Sequence, residues 1–145
     1  MKKNDTTAQS LTVACIVAIS DDNEILAACK ESQQLHKISI WEFPGGRLRE
    51  GERLEQCAIR RFKDELNLDT RIVGALNSCT TRIGNRDITV HPFLGQIIGG
   101  SPILYEHKKA EWFRPDQLFQ LAWPDSDMPI VEQIVERYIT QGRII

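Results

Sequence analysis

The sequence predicts a single α/β domain, and three observations carry that expectation. A chain of 145 residues, 41% hydrophobic and 26% charged, is long enough to bury one sizeable core. The run Leu11 to Ile19 is too continuously apolar for a strand wetted on one face and reads as a central strand. From Leu54 the apolar spacing changes from two to about 3.6, with Leu54, Ala58, Phe62 and Leu66 four apart and Ile59 alongside, the signature of an amphipathic helix.

In order along the chain, residues 1–10 are polar and read as a disordered N-terminal tail, leaving 11–145 as the domain. Asp21-Asp22-Asn23 supplies turn residues between the first strand and a second, Glu24 to Cys29, so the two are expected to form a hairpin. A polar loop, Glu31 to Ser39, leads to a short strand at Trp41-Glu42-Phe43. Pro44-Gly45-Gly46 then lets the backbone turn and approach a ligand closely. The helix from Leu54 ends near Asn67. Two β-rich runs follow, Arg71 to Arg82 and Arg86 to Ile98, with Gly84-Asn85 between them as the positive-φ pair of a tight hairpin. After a charged loop, Tyr105 to Glu111, come a short strand at Trp112-Phe113, a short helix opening at Pro115 and a last amphipathic helix from Met128 to Thr140.

Composition excludes several function classes. Eighteen basic against twenty acidic residues leave a formal charge of −2, which argues against a grip on long nucleic acid. No stretch approaches the roughly 18 apolar residues that a membrane span needs, and the first ten residues lack the apolar core of a signal peptide, so a cytoplasmic protein is expected. Cys15, Cys29, Cys57 and Cys79 are scattered without a CxxC pair, which points to free thiols rather than a zinc site or disulfide framework. Nothing in the sequence fixes the oligomeric state.

The chemistry is concentrated between Gly46 and Leu68. A Gly-rich turn feeds a helix whose C-terminal half carries Asp64 and Glu65, close to Arg60 and Arg61. Adjacent carboxylates at a helix end suit a hard divalent cation shared with substrate phosphates. They equally suit two surface i,i+4 ion pairs, Arg60 with Asp64 and Arg61 with Glu65. Gly46, Glu52, Arg60, Phe62, Asp64, Glu65 and Leu68 fall on the spacing Gx5Ex7REUxEExGU, with U a bulky apolar residue. This stretch resembles the Nudix box. Trp41-Glu42-Phe43-Pro44-Gly45-Gly46 resembles the lead-in of the family's MutT branch, and Glu106 with Glu111-Trp112 resembles its distal metal-binding loop.

The resemblance spans roughly Val13 to Val135 and implies an α/β/α sandwich with a mixed β-sheet. It further implies a Mg²⁺-dependent hydrolase, with Mn²⁺ as a substitute, in which metal-activated water attacks a nucleoside triphosphate and releases the monophosphate and pyrophosphate. By position, Asp64, Glu65 and Glu106 become candidate catalytic residues and metal ligands, joined by the Gly45 carbonyl. Glu52 and Arg60 match the structural ion pair that fixes the loop on the helix. Lys30 and Arg86 fall near positions that contact phosphates or sugar, and Phe43 lies beside the nucleotide cleft; for Lys30 a solvated strand-end lysine is an equal reading. Asp127 matches the position that reads the base, as a carboxylate able to accept from an exocyclic amine; the alternative is a plain helix cap. A cytidine nucleotide is favoured, with oxidised guanine nucleotide as the rival.

Three box positions differ from the pattern. Asn67 replaces a Gly at a helix end where Asn also tolerates the left-handed conformation, and Asp64 keeps the charge of the Glu it replaces. Arg61 replaces a Glu that ligates metal and is a candidate general base, and Arg does neither. Two readings stay open. Arg61 stands in for part of a metal's charge and leaves a nucleotide-binding domain with impaired turnover, or another carboxylate such as Glu106 serves as base.

Overall fold

A computed structural model describes residues 9–32 and 38–145. The chain forms β1 (Gln9–Ala18), β2 (Ile25–Ser32), β3 (Ile38–Glu42), β4 (Gly45–Arg47), α1 (Leu54–Leu66), β5 (Leu68–Ala75), β6 (Cys79–Ile83), β7 (Arg86–Gly100), β8 (Lys109–Phe113), a 3-10 helix (Pro115–Gln120) and α2 (Met128–Gln141). Most of the expected tail lies outside the described residues, but β1 already begins at Gln9, inside it. The expected loop from Glu31 narrows, because β2 continues to Ser32 and β3 starts at Ile38; residues 33–37 lie outside the described residues.

The strands make two sheets. One is mixed, in the order β4-β1-β7-β5 with β6 also on β7, and its β1 and β7 run parallel along the whole of β1. The other is antiparallel, β3-β2-β8. β1 and β2 are therefore not the hairpin that their short connection predicts. A single bridge, Ile19 to Ile25, joins them before they diverge into different sheets. The long run expected from Arg71 to Arg82 is likewise two strands. β5 and β6 both pair with β7 in antiparallel register, and residues 76–78 form no strand between them. In the β6–β7 hairpin only Gly84 has positive φ, +64°, and Asn85 does not, the pattern of a turn that needs one left-handed residue rather than two.

Alternation along β1 builds the sandwich. Ala14, Ile16 and Ala18 face the core that holds Cys57, Ala58, Phe62 and Leu66 of α1. Cys15, Val17 and Ile19 face the opposite core, with Ile130, Val131 and Ile134 of α2. A strand covered by helices on both sides must be apolar at every position, which is why Leu11 to Ile19 shows no polar alternation. The fold is thus an α/β/α sandwich around a mixed sheet. Within α1 the buried stripe is carried by Ala58, Phe62 and Leu66, whereas Ile59 lies on the exposed side. Asn67 closes the helix with φ 59° and ψ 34°, the left-handed cap, and its N–H donates to the Lys63 carbonyl. Among the described residues no helix is long and apolar enough to cross a membrane.

Phe62 is fully buried between α1 and the sheet. Phe62→Ala is expected to cost about 3–5 kcal/mol through lost burial and the cavity left behind, measured as a shift in urea unfolding. A loss under about 1 kcal/mol would mean that α1 does not pack as described.

Candidate active site

The loop between β4 and α1 is fixed by one ion pair. Glu52 meets Arg60 at two points, 2.6 Å from Nε and 3.0 Å from Nη2, and accepts the Arg49 N–H at 3.0 Å. These partners hold its carboxyl down at about 2. The Arg60 Nη2 also donates to the Arg47 carbonyl, at 3.2 Å, so one guanidinium ties loop and helix together.

One turn further along α1, Glu65 is buried, at 1% exposure. Its Oε2 accepts from Arg61 Nη2 at 2.8 Å, and its Oε1 lies 3.7 Å from His107 Nε2. Burial pushes the Glu65 carboxyl up to about 7 despite the Arg61 charge, with Glu106 adding to the rise. The loop after β7 reaches this helix end through its backbone: Ile103 N–H donates to Leu66 and Tyr105 N–H to the Glu65 carbonyl. Lys108 N–H then donates to the Cys29 carbonyl on β2. Glu106 and His107 are carried between these anchors, Glu106 ending 3.8 Å from Arg61 Nη2. His107 Nε2 lies 2.7 Å from Glu42 Oε2, and Lys30 Nζ lies 3.5 Å from the same oxygen. Burial alone would raise the Glu42 carboxyl, but the His107 hydrogen bond and the Lys30 charge hold it below its usual range.

The pairs Arg60–Asp64 and Arg61–Glu65 both form, so the ion-pair reading of this spacing is correct in geometry. Only the first is a surface pair. Asp64 is 46% exposed at its side chain and lies 3.5 Å from Arg60 Nη1. In its place the structure gathers Glu42, Glu65 and His107, whose ligand atoms all lie within 4.8 Å of one another. Neither Glu42 nor His107 is singled out by the sequence, although Glu42 sits in the Trp-Glu-Phe-Pro-Gly-Gly segment and His107 directly follows Glu106.

A cleft of about 270 Å³ adjoins this group, lined by residues that include Cys15, Glu42, Phe43, Gly45, Ile88 and Asp127. Depressions of about 360 and 370 Å³ elsewhere are larger but include none of Glu42, Glu65, Glu106 and Asp127. Phe43 forms the cleft wall by stacking on Trp123, centroids 4.8 Å apart at 24°. Asp127 precedes α2 but does not cap it with its side chain. Its Oδ2 instead accepts the Phe43 N–H at 3.3 Å, inside the cleft. Burial raises the Asp127 carboxyl to about 7 against the lowering effect of that hydrogen bond. Arg86 lies exposed at the start of β7, and alternation puts it on the same face as the cleft residues Ile88 and Val90. Lys30 is half-exposed at the far side, tied to Glu42.

The NUDIX domain family model matches residues 9–134. The chain belongs to the Nudix family. Similar curated proteins are the CTP pyrophosphohydrolase of Escherichia coli K12, 25% identical over 79% of this chain and 84% of that protein, and the 8-oxo-dGTP diphosphatase of the same organism, 23% identical over 87% of this chain and 97% of that protein. The solution structure of the E. coli ORF135 protein superposes with a TM-score of 0.80 at 20% identity, covering 96% of this chain and 98% of that one. With a Nudix domain and named hydrolases among its relatives, the chain is a Nudix hydrolase.

Nudix hydrolases use divalent metals, and the buried group tests whether this chain's residues fit one. Two carboxylates and an imidazole converge. Among the described residues the His107 Nδ1 has no hydrogen-bond partner, so the ring's orientation is set by its Nε2 side alone. Oxygen ligands suit Mg²⁺, and the imidazole widens the donor set towards Mn²⁺.

The Asp127 carboxyl generates a pH dependence. Unfolded, it ionises near its ordinary value of 3.8; folded, it holds its proton up to about 7. The stability it contributes is therefore full below about pH 4 and is lost as pH rises through about 7. Relative to the parent, Asp127→Asn is expected to gain stability as pH rises from about 4 to about 7, on the order of 1 kcal/mol per pH unit, and to gain no more above that, in urea unfolding. Parallel stability curves would show that the carboxyl is ionised throughout.

Proposed function

We propose that this protein is a Mg²⁺-dependent nucleoside triphosphate pyrophosphohydrolase that releases a nucleoside monophosphate and pyrophosphate. The observation that carries the reading is a shared wall. The backbone from Glu42 to Gly45 lines the apolar cleft on one side, and on the other Glu42 joins Glu65 and His107 while the Gly45 carbonyl meets Arg61. A base seated on Phe43 beside Asp127 would place its phosphates towards the charged group.

In this reading Glu65, with Glu42 and His107, would hold a divalent cation, and Glu106 and the Gly45 carbonyl flank it against Arg61. When bound, that ion polarises the phosphoryl group and offsets charge developing on the leaving pyrophosphate. The chain's own groups do the remaining work. Phe43 supplies a flat apolar face for the base, and Asp127 offers a carboxyl to an exocyclic amine. Lys30 and Arg86 supply positive charge at the cleft edges for phosphate or sugar. Glu52 and Arg60 hold the loop that presents Gly45. Hydrolysis requires a base to take a proton from the attacking water, and Glu106, 42% exposed at its side chain, is more open to solvent than Glu42 or Glu65. Among bases we favour cytosine over oxidised guanine, following the name of the CTP-directed relative and the acceptor at Asp127. The expected setting is the cytoplasm.

A second reading has its own support: Arg61 bonds to Glu65 where the box pattern has a carboxylate, which favours nucleotide binding with impaired turnover. Both readings are tested by pyrophosphate release from a panel of ordinary, methylated and oxidised nucleoside and deoxynucleoside triphosphates with Mg²⁺ or Mn²⁺. Turnover of a cytidine nucleotide is expected, reduced at least about 100-fold in Glu65→Gln by loss of a buried charged ligand. No release from any member, with nucleotide still raising the melting temperature, would sink the hydrolase reading and establish the binding one.

A further inference from the structure

The Arg61 guanidinium sits at a point where three oxygens converge. Its Nε donates to the Gly45 carbonyl at 3.4 Å, and its Nη2 lies 2.8 Å from Glu65 Oε2 and 3.8 Å from Glu106 Oε2. A main-chain carbonyl and two carboxylates from three separate segments make an oxygen cage, and a side-chain cation fills it. Space for that cation is made by Gly46. A Cβ at this position would run into Arg61 Nε, Cδ and Cζ, so the guanidinium rests directly on bare backbone. Among the described residues Nη1 makes no hydrogen bond, and the side chain keeps 26% exposure. The group is thus clamped along one edge, with donors to spare on the other, and it flanks the strand that lines the cleft.

We propose that Arg61 is a resident cation that binds substrate phosphate oxygens directly, holding the place between Gly45, Glu65 and Glu106 that would otherwise call for a divalent ion. The inference rests on the phosphate-directed reading of the site and sharpens it. A clamped guanidinium is well suited to the task, because its planar fork matches phosphate oxygens and its rotamer freedom is already spent on Glu65. Two carboxylates against one guanidinium still leave room for metal at Glu42, Glu65 and His107. Anchoring of the phosphate chain, however, does not wait for that ion.

Titration calorimetry of the intact protein with inorganic tripolyphosphate, a probe without a base, tests this in EDTA and again in excess Mg²⁺. The parent is expected to bind in EDTA. Arg61→Gln should bind about 10- to 100-fold more weakly there, the loss of a charge-assisted hydrogen-bonding group. Arg61→Lys keeps a cation beside Glu65 and Glu106, guards against a folding failure of the Gln variant, and is expected to lose about 10-fold. As a second readout, Arg61→Glu should hold Mn²⁺ more tightly than the parent, by electron paramagnetic resonance of the free ion.

Binding that is absent in EDTA, restored by Mg²⁺ and indifferent to Arg61→Gln or Arg61→Lys would overturn the inference while leaving the hydrolase reading intact. Unchanged Mn²⁺ affinity in Arg61→Glu would overturn the claim that the guanidinium holds a cation's place. No binding under either condition would sink this inference and the phosphate-directed reading together.

Discussion

The buried carboxylate of Glu65 is the constraint around which the charged half of the molecule is organised. A carboxylate removed from water is costly unless its charge and lone pairs are met. Glu65 is met by Arg61, one turn back on α1, and by His107 from the loop after β7, whose Nε2 also faces Glu42. The result is a continuous chain of contacts, Lys30 to Glu42 to His107 to Glu65 to Arg61 to Glu106.

That arrangement depends on features of the fold that serve no chemistry themselves. The loop after β7 reaches Glu65 because Ile103 and Tyr105 donate to the last carbonyls of α1, which a helix end leaves without partners of its own. Asn67 in the left-handed conformation turns the chain sharply from α1 into β5 and frees those carbonyls for the loop. Along the edge of β1, where β4 pairs with it, the requirement is different. Gly45 pairs with Cys15 and Gly46 with Ala14, and a side chain on Gly45 would collide with β1 backbone and Cys15. The two glycines are therefore demanded by close approach, one to a strand and one to Arg61; neither has positive φ.

Local features of this architecture were legible in the sequence, and the pairing of remote ones was not. The helix from Leu54 and its end at Asn67 follow from periodicity and a cap residue, both properties of a dozen neighbouring residues. The apolar run from Val13 to Ile19 announced a strand covered on both faces. Yet a short connection such as Asp21-Asp22-Asn23 does not say whether the flanking strands stay paired, and here the β1–β2 pair separates after one bridge. The division of residues 71–82 was hidden because β5 and β6 both pair with β7, so residues 76–78 interrupt the pairing without any break in strand-like composition. At the site, box spacing singled out Glu65, Glu52, Arg60 and Asp64; the Glu52–Arg60 pair forms, Glu65 is buried, and Asp64 lies against Arg60 with its side chain half-exposed. Glu42 and His107 are 65 positions apart, and only the sheet and the loop after β7 bring them together.

Charge decides the effect of Arg61 on the site. Exchanging a carboxylate for a guanidinium alters the local charge by two units, and each unit at about 4 Å is worth roughly 1 kcal/mol in water to about 4 kcal/mol near a protein surface. A metal ion brought against Gly45, Glu65 and Glu106 would meet a guanidinium already bonded there, and would lose affinity by amounts of that order. A polyphosphate approaching the same point gains by them. The substitution therefore moves free energy from binding the ion to binding the substrate. In the proposed hydrolase the rate depends on how much of the ion's polarising effect the second donor set, Glu42, Glu65 and His107, recovers. A guanidinium delocalises its charge over three nitrogens and polarises a phosphoryl oxygen less than a compact dication does. On the proposed reading the guanidinium adds to phosphate binding at the expense of the ion's polarising effect, and the occupancy of the second donor set becomes the quantity on which the rate depends.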